Sequence, residues 1–136
     1  MNNSINSKIE ILKSEFEILD NPMDKYQHII DIGKNKEDIS QNIRQEENLI
    51  KGCVSKAWMH IKSKNEPIKI ITDSDAVIVR GLLSILKYII DGITLEELGQ
   101  LKIEFILKEI GLEDSITSQR TNGFMSALNK IKEQIN

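Results

Sequence analysis

The apolar residues of this chain keep helical spacing at both ends and switch to alternation in the middle. Ile5, Ile9, Leu12, Phe16 and Leu19 recur at helical intervals, whereas Cys53, Ser55, Ala57, Met59 and Ile61 alternate with Lys56, Trp58, His60 and Lys62. A helix returns to the same face about every 3.6 residues and a strand every second residue, so one segment cannot serve both periods. A second alternating run, Ile68, Ile70 and Thr72 against Lys69 and Ile71, follows the turn-forming "SKNEP", and "NLI" can add a third strand ahead of the cysteine. The order of helices, short antiparallel β-meander and helices predicts an α+β fold, a two-layer domain with N-terminal and C-terminal helices flanking the meander.

The helix boundaries carry their own signals. "DNP" at Asp20 to Pro22 closes the first helix, and Pro22 fits the first turn of a second, where its missing N–H is not needed. That second helix carries Tyr26, Ile29, Ile30 and Ile32 and is predicted to stop near Gly33. The polar "KNKEDISQNIRQEE" has no period and reads as a loop. Helical spacing resumes at Ala76, with Asp73 or Ser74 available as a cap. "TLEE", Thr94 to Glu97, is a capping box that starts another helix, and Gly111 ends the next apolar segment as a C-cap glycine does. A last helix from near Ser118 places Phe124, Ala127, Leu128, Ile131 and Ile135 on one stripe.

Composition narrows the classes of function. A length of 136 residues suits one domain over residues 1–136, with a core that needs no staples. A formal net charge of -3 gives no basic surplus for nucleic acid or anionic lipid. The most apolar stretch, "DAVIVRGLLSILKYIID", is broken by Arg80 and Lys87, which are costly at a bilayer centre, so it reads as a buried helix. The start "MNNSINSKIEIL" lacks the apolar core of a signal peptide, and one cysteine cannot form an intramolecular disulfide. A reducing cytoplasm is therefore the expected compartment.

Chemistry has few carriers here. Cys53, His28 and His60 are too few for a structural zinc site or an iron–sulfur scaffold, and there is no Gly-rich phosphate loop, GxSxG elbow or HExxH motif. No cofactor is implied. Cys53 itself reads in two ways. Free cysteine often packs as a small hydrophobe. Against that, Gly52 allows backbone angles closed to other residues, which suits a loop that presents a side chain, and Lys51 and Lys56 are close enough in sequence to favour a thiolate.

"ENLIKGCVSKAW" at Glu47 to Trp58, "DSDAVIVRGLLSIL" at Asp73 to Leu86 and "RTNGFMSAL" at Arg120 to Leu128 resemble the SufE family of cysteine-desulfuration proteins, in the same order and at similar spacing. "KYQHIIDIG" at Lys25 to Gly33 is similar to that family's N-terminal region, so the resemblance covers nearly the whole chain. It implies a SufE/NifU-like two-layer fold, which iron–sulfur scaffold proteins share but furnish with further ligand cysteines. It also implies that Cys53 accepts sulfur from the persulfide of a PLP-dependent, SufS-like cysteine desulfurase. The sulfur would then pass to a SufBCD-like iron–sulfur scaffold complex.

Arg120 and Asn122 match the family's "RxNG" element, although Ser118 and Gln119 stand where the family usually has Pro-Ser; a cap at Thr117 would offset that loss. Gly52, Ser55, Trp58, Asp75 and Arg120 are candidate loop or partner contacts. For Arg120 a solvated surface charge is the competing reading, for Asp73 and Asp75 a helix cap. Trp58 lies on an otherwise polar strand face, so it either packs under a flanking loop or marks a contact surface. His60 on that face reads as an exposed strand histidine. Two other functions compete: a stand-alone thiol enzyme, which commonly needs a resolving cysteine that this chain lacks, and a binding or regulatory domain in which Cys53 only packs.

Overall fold

The computed structural model describes residues 3–34, 43–51, 55–63, 65, 67–113 and 115–135, and the change of period appears in it as a change of secondary structure. Helices α1 (Asn3–Glu17) and α2 (Pro22–Lys34) come first, then a 3-10 turn at Glu46–Asn48 and strands β1 (Ala57–Ser63) and β2 (Lys69–Ser74). Helices α3 (Val77–Ile90), α4 (Leu95–Gln100), α5 (Ile103–Ile110) and α6 (Ser118–Ile135) complete the order, so the fold is α+β.

Local chemistry accounts for most of these boundaries. Ile5, Ile9, Leu12 and Phe16 are buried on α1. Asn21 then starts α2: its Oδ1 accepts from the Asp24 backbone N–H at 2.9 Å, and Pro22 occupies the first helical position. The Thr94 hydroxyl accepts from Glu97 N–H while the Glu97 carboxylate accepts from Thr94 N–H, the capping box read from "TLEE". Gly111 ends α5 at φ 88°, a left-handed conformation that costs glycine little.

The stop expected near Gly33 falls one residue on, at Lys34. Gly33 has a second role: it is buried because α3 lies against it. A Cβ on Gly33 would stand 2.8 Å from the Gly81 nitrogen, and one on Gly81 would stand 2.0 Å from the Ile29 carbonyl oxygen. The two glycines let backbones meet directly.

Among the described residues the sheet is two-stranded and antiparallel, pairing Ala57 with Ser74, Trp58 with Asp73, Met59 with Thr72 and Ile61 with Ile70. The alternation expected from Cys53 onward becomes regular strand only at Ala57; Ser55 lies before it, and Cys53 with Gly52 falls outside the described residues. "NLI" contributes one isolated bridge, Leu49 to Trp58, in place of a third strand. The chain enters that bridge from the 3-10 turn and leaves it in a turn at Lys51, so there is no length over which a ladder could extend. A stretch of the polar loop is ordered too, with Ile43 buried ahead of the 3-10 turn.

Helix α3 is apolar on nearly every side, with Ile78, Leu82, Leu83, Ile85, Leu86, Ile89 and Ile90 buried, and it packs against α1, α2, α6 and β2. Each such side chain contributes about 1.5–3 kcal/mol by leaving water. The charges that interrupt it tie it to β2. Arg80 donates to the Ser74 carbonyl at 2.9 Å, and Lys87 donates to the Ile70 carbonyl at 2.8 Å while pairing with Asp91. Asp91 in turn accepts from Ile70 N–H at 3.0 Å.

Of the two caps expected at the start of α3, Ser74 is the one that satisfies a backbone N–H there. Ala76 holds the N-cap position, and the Ser74 hydroxyl accepts from its N–H at 3.1 Å. Asp73 is drawn away by two arginines, and Asp75 is exposed. One buried cluster runs from Ile5 on α1 to Ile131 on α6. Among the described residues no helix is long and apolar enough to cross a membrane.

The glycine contact can be tested by a matched pair of substitutions. Gly81→Ala must push the α2 and α3 backbones apart and is expected to cost about 3 kcal/mol or more. At Gly99 of α4 a Cβ meets nothing within 4 Å, so Gly99→Ala is expected to gain about 0.4–1 kcal/mol. Urea unfolding of both variants checks this, and equal midpoints would remove the close approach from the account.

Candidate functional site

The segment ahead of β1 meets the start of α6 across a cavity of about 310 Å³. Helix α3 contributes Val79, Leu82 and Leu83 to its wall, α6 contributes Phe124, and Ser55, Thr117 and Arg120 add polar groups. The wall follows from the sequence pattern. Leu82, Leu83 and Phe124 belong to the apolar stripes of their helices and are buried, while Ser55 and Arg120 are half-buried. The size is at the low end for ligand pockets, suited to a side chain or a small group.

Its electrostatics come from α6. The Thr117 hydroxyl accepts from Arg120 N–H at 3.3 Å, so Thr117 caps the helix, and the missing Pro-Ser before Arg120 leaves the helix start intact. The Arg120 guanidinium lies 5.7 Å from the Tyr26 ring centroid, which holds a cation beside an apolar wall. A helix start and an arginine both favour negative charge, so an anionic sulfur brought to this cavity would be stabilised there.

A second cluster lies on the other face of the sheet. Trp58 and Asp73 are cross-strand partners, and Arg44 covers both: its Nε stands 2.8 Å from Asp73 Oδ2, and its guanidinium is 4.8 Å from the Trp58 ring centroid. Asp73 Oδ1 lies 3.3 Å from Arg80 Nε and accepts from Ser74 N–H at 2.8 Å. This resolves the two readings of Trp58: it is buried under the incoming loop, where Leu49 bridges to it.

The candidates from the sequence therefore separate. Ser55 and Arg120 come together at the cavity. Trp58 belongs to the Arg44 cluster instead, and Asp75 is exposed with its backbone N–H donating to the Lys56 carbonyl at 3.1 Å. Gly52 and Cys53 lie outside the described residues. Lys51, Lys56 and His60 are exposed, and His28 pairs with Glu15 at 3.1 Å. Sequence reading missed Arg44, which sits in a stretch without period, and the cavity residues of α3, whose apolar spacing signals only a core. Among the described residues no group of three or more His, Cys, Asp or Glu side chains could hold a metal ion.

Fold and cavity define an α+β domain in which the segment ahead of a small sheet lies beside an apolar cleft with a basic edge. The chain belongs to the SufE family: the family model described as "SufE: Fe-S metabolism associated domain" matches residues 10–135. An uncharacterized SufE-like protein of Rhizobium etli is 32% identical over 132 residues, covering 94% of this chain and 89% of that protein. A protein of Wigglesworthia glossinidia brevipalpis named cysteine desulfuration protein SufE is 28% identical, covering 96% of this chain and 91% of its own. The solution structure of a hypothetical protein from Thermus thermophilus superposes with a TM-score of 0.74 at 17% identity, covering 97% of this chain and 93% of that one, a likeness of fold.

Removing the α6 cap should be felt both in stability and at the cavity. Thr117→Ala is expected to cost about 1 kcal/mol in urea unfolding. A change below a few tenths would mean that the hydroxyl contributes nothing to the helix start.

Proposed function

We propose that this protein is a sulfur carrier that takes persulfide sulfur from a cysteine desulfurase onto Cys53 and passes it to iron–sulfur cluster assembly. The observation that carries the reading is that the one cysteine of a SufE-family chain stands two residues before Ser55 in sequence, and Ser55 lines the cavity edged by Arg120. The Wigglesworthia relative, named for cysteine desulfuration, supports the same reading.

The chemistry needs one thiol. The Cys53 thiolate attacks the outer sulfur of the desulfurase persulfide, the new S–S bond forms as the old one breaks, and the desulfurase thiolate leaves. No electrons are gained or lost overall. The proton released by Cys53 balances the one taken up by the departing thiolate. Pyridoxal phosphate belongs to the donor, a SufS-like enzyme, and the acceptor downstream is a SufBCD-like scaffold complex in the cytoplasm. The carrier acts as a single domain without a cofactor of its own, and withdrawing sulfur from the donor stimulates its turnover.

A hidden persulfide survives cellular thiols better than an exposed one. Apolar surroundings around the resting sulfur, such as those of Ala57 and Met59, both fully buried, would protect it, with Gly52 absorbing the backbone change needed for transfer.

Cys53→Ser tests the assignment because it removes the soft nucleophile with little change of volume. The variant is expected to melt like the parent and to give no stimulation of desulfurase turnover. Full stimulation by the serine protein would refute Cys53 as the acceptor, and loss of folding would make it a packing residue.

A further inference from the structure

Segment 51–56, which carries the proposed acceptor cysteine, is entered and left by arms tied to residues 73–75, at and just past the end of β2. The arm that leaves it is held at Lys56, whose carbonyl accepts from the Ser74 hydroxyl at 2.7 Å and from Asp75 N–H at 3.1 Å. The arm that enters it is held by Arg44 on Asp73, and its last residue, Ile50, donates its N–H to the Ala57 carbonyl at 2.8 Å. Lys130 of α6 adds bonds to the Glu47 and Leu49 carbonyls. Asp73 is 8% exposed at its side chain, and Arg80 keeps it in place from α3.

We propose that Arg44 is a positioning residue for sulfur transfer, setting through its ion pair with Asp73 and its stacking on Trp58 where the two arms present the acceptor segment. The inference rests on the carrier reading. Arg44 itself is 41% exposed at its side chain, so its pair with Asp73 belongs to the kind that adds little to global stability. Its worth lies in geometry, because a small misplacement of a reacting group slows transfer far more than it weakens a fold.

The sole tryptophan makes the arm visible, since the guanidinium over Trp58 alters its emission. Arg44→Gln and Arg44→Lys would be compared with the parent by thermal melting, Trp58 emission, iodoacetamide labelling of Cys53 and sulfur uptake from a purified SufS-type desulfurase with cysteine. For Arg44→Gln the expected result is an unchanged melt, shifted emission, an altered labelling rate and a maximal uptake rate about tenfold lower at a half-saturating concentration within about twofold of the parent. Arg44→Lys, which keeps the charge, should recover some of the uptake. Unchanged uptake and labelling despite shifted emission would overturn the inference, as would a loss confined to the half-saturating concentration or one that follows loss of folding. Absence of sulfur uptake by the parent would instead defeat the carrier reading, and the labelling rate would still judge whether Arg44 positions the cysteine.

Discussion

Helices α2 and α3 touch backbone to backbone at Gly33 and Gly81, and much of the structure is arranged around that contact. With a Cβ on Gly81 only 2.0 Å from the Ile29 carbonyl oxygen, nothing larger than glycine allows this separation. The close approach lets α2 cover one flank of a helix too apolar to face water, while β2 and α6 cover others. It also reaches the candidate site. Tyr26 lies on α2 ahead of the contact, and its ring faces the Arg120 guanidinium at the cavity edge.

The sheet divides the remaining work between its faces. Its inner face, Ala57, Met59 and Ile61 with Ile70 and Thr72, is buried in the core. Its outer face would leave Trp58 and Asp73 to solvent, and Arg44 covers them with one side chain, stacking on the first and pairing with the second. A two-stranded sheet is marginal by itself, so it depends on α3 below and on this incoming arm above. The same dependence links the chain on both sides of residues 51–55 to the core, since Lys56 after them and Arg44 before them both end on residues 73–75.

What was legible in the sequence was what is decided locally. The Thr94–Glu97 capping box, Pro22 at a helix start and Gly111 at a helix end each depend on residues a few positions apart. The periods of α1, α6 and β1 depend on which face is wet. The gaps came where distant residues decide. Gly33 marks the end of α2 to within one residue, but its contact with Gly81 depends on another helix. Asp73 resembles a cap until Arg44, 29 residues away, takes its carboxylate. Trp58 was undecided for the same reason, because only the incoming loop buries it. At the site, Ser55 and Arg120 were named from a family motif, and their meeting at one cavity depends on how α6 packs on α3.

Sulfur reaching Cys53 is the claim on which the functional account stands. Incubating the native protein with a SufS-type desulfurase and sulfur-labelled cysteine, quenching with an alkylating reagent and mapping peptides by mass spectrometry tests it most directly. The account predicts one labelled sulfur on the peptide containing Cys53, lost on treatment with a reducing thiol. A desulfurase that turns over and carries labelled persulfide while the Cys53 peptide stays unlabelled would contradict it.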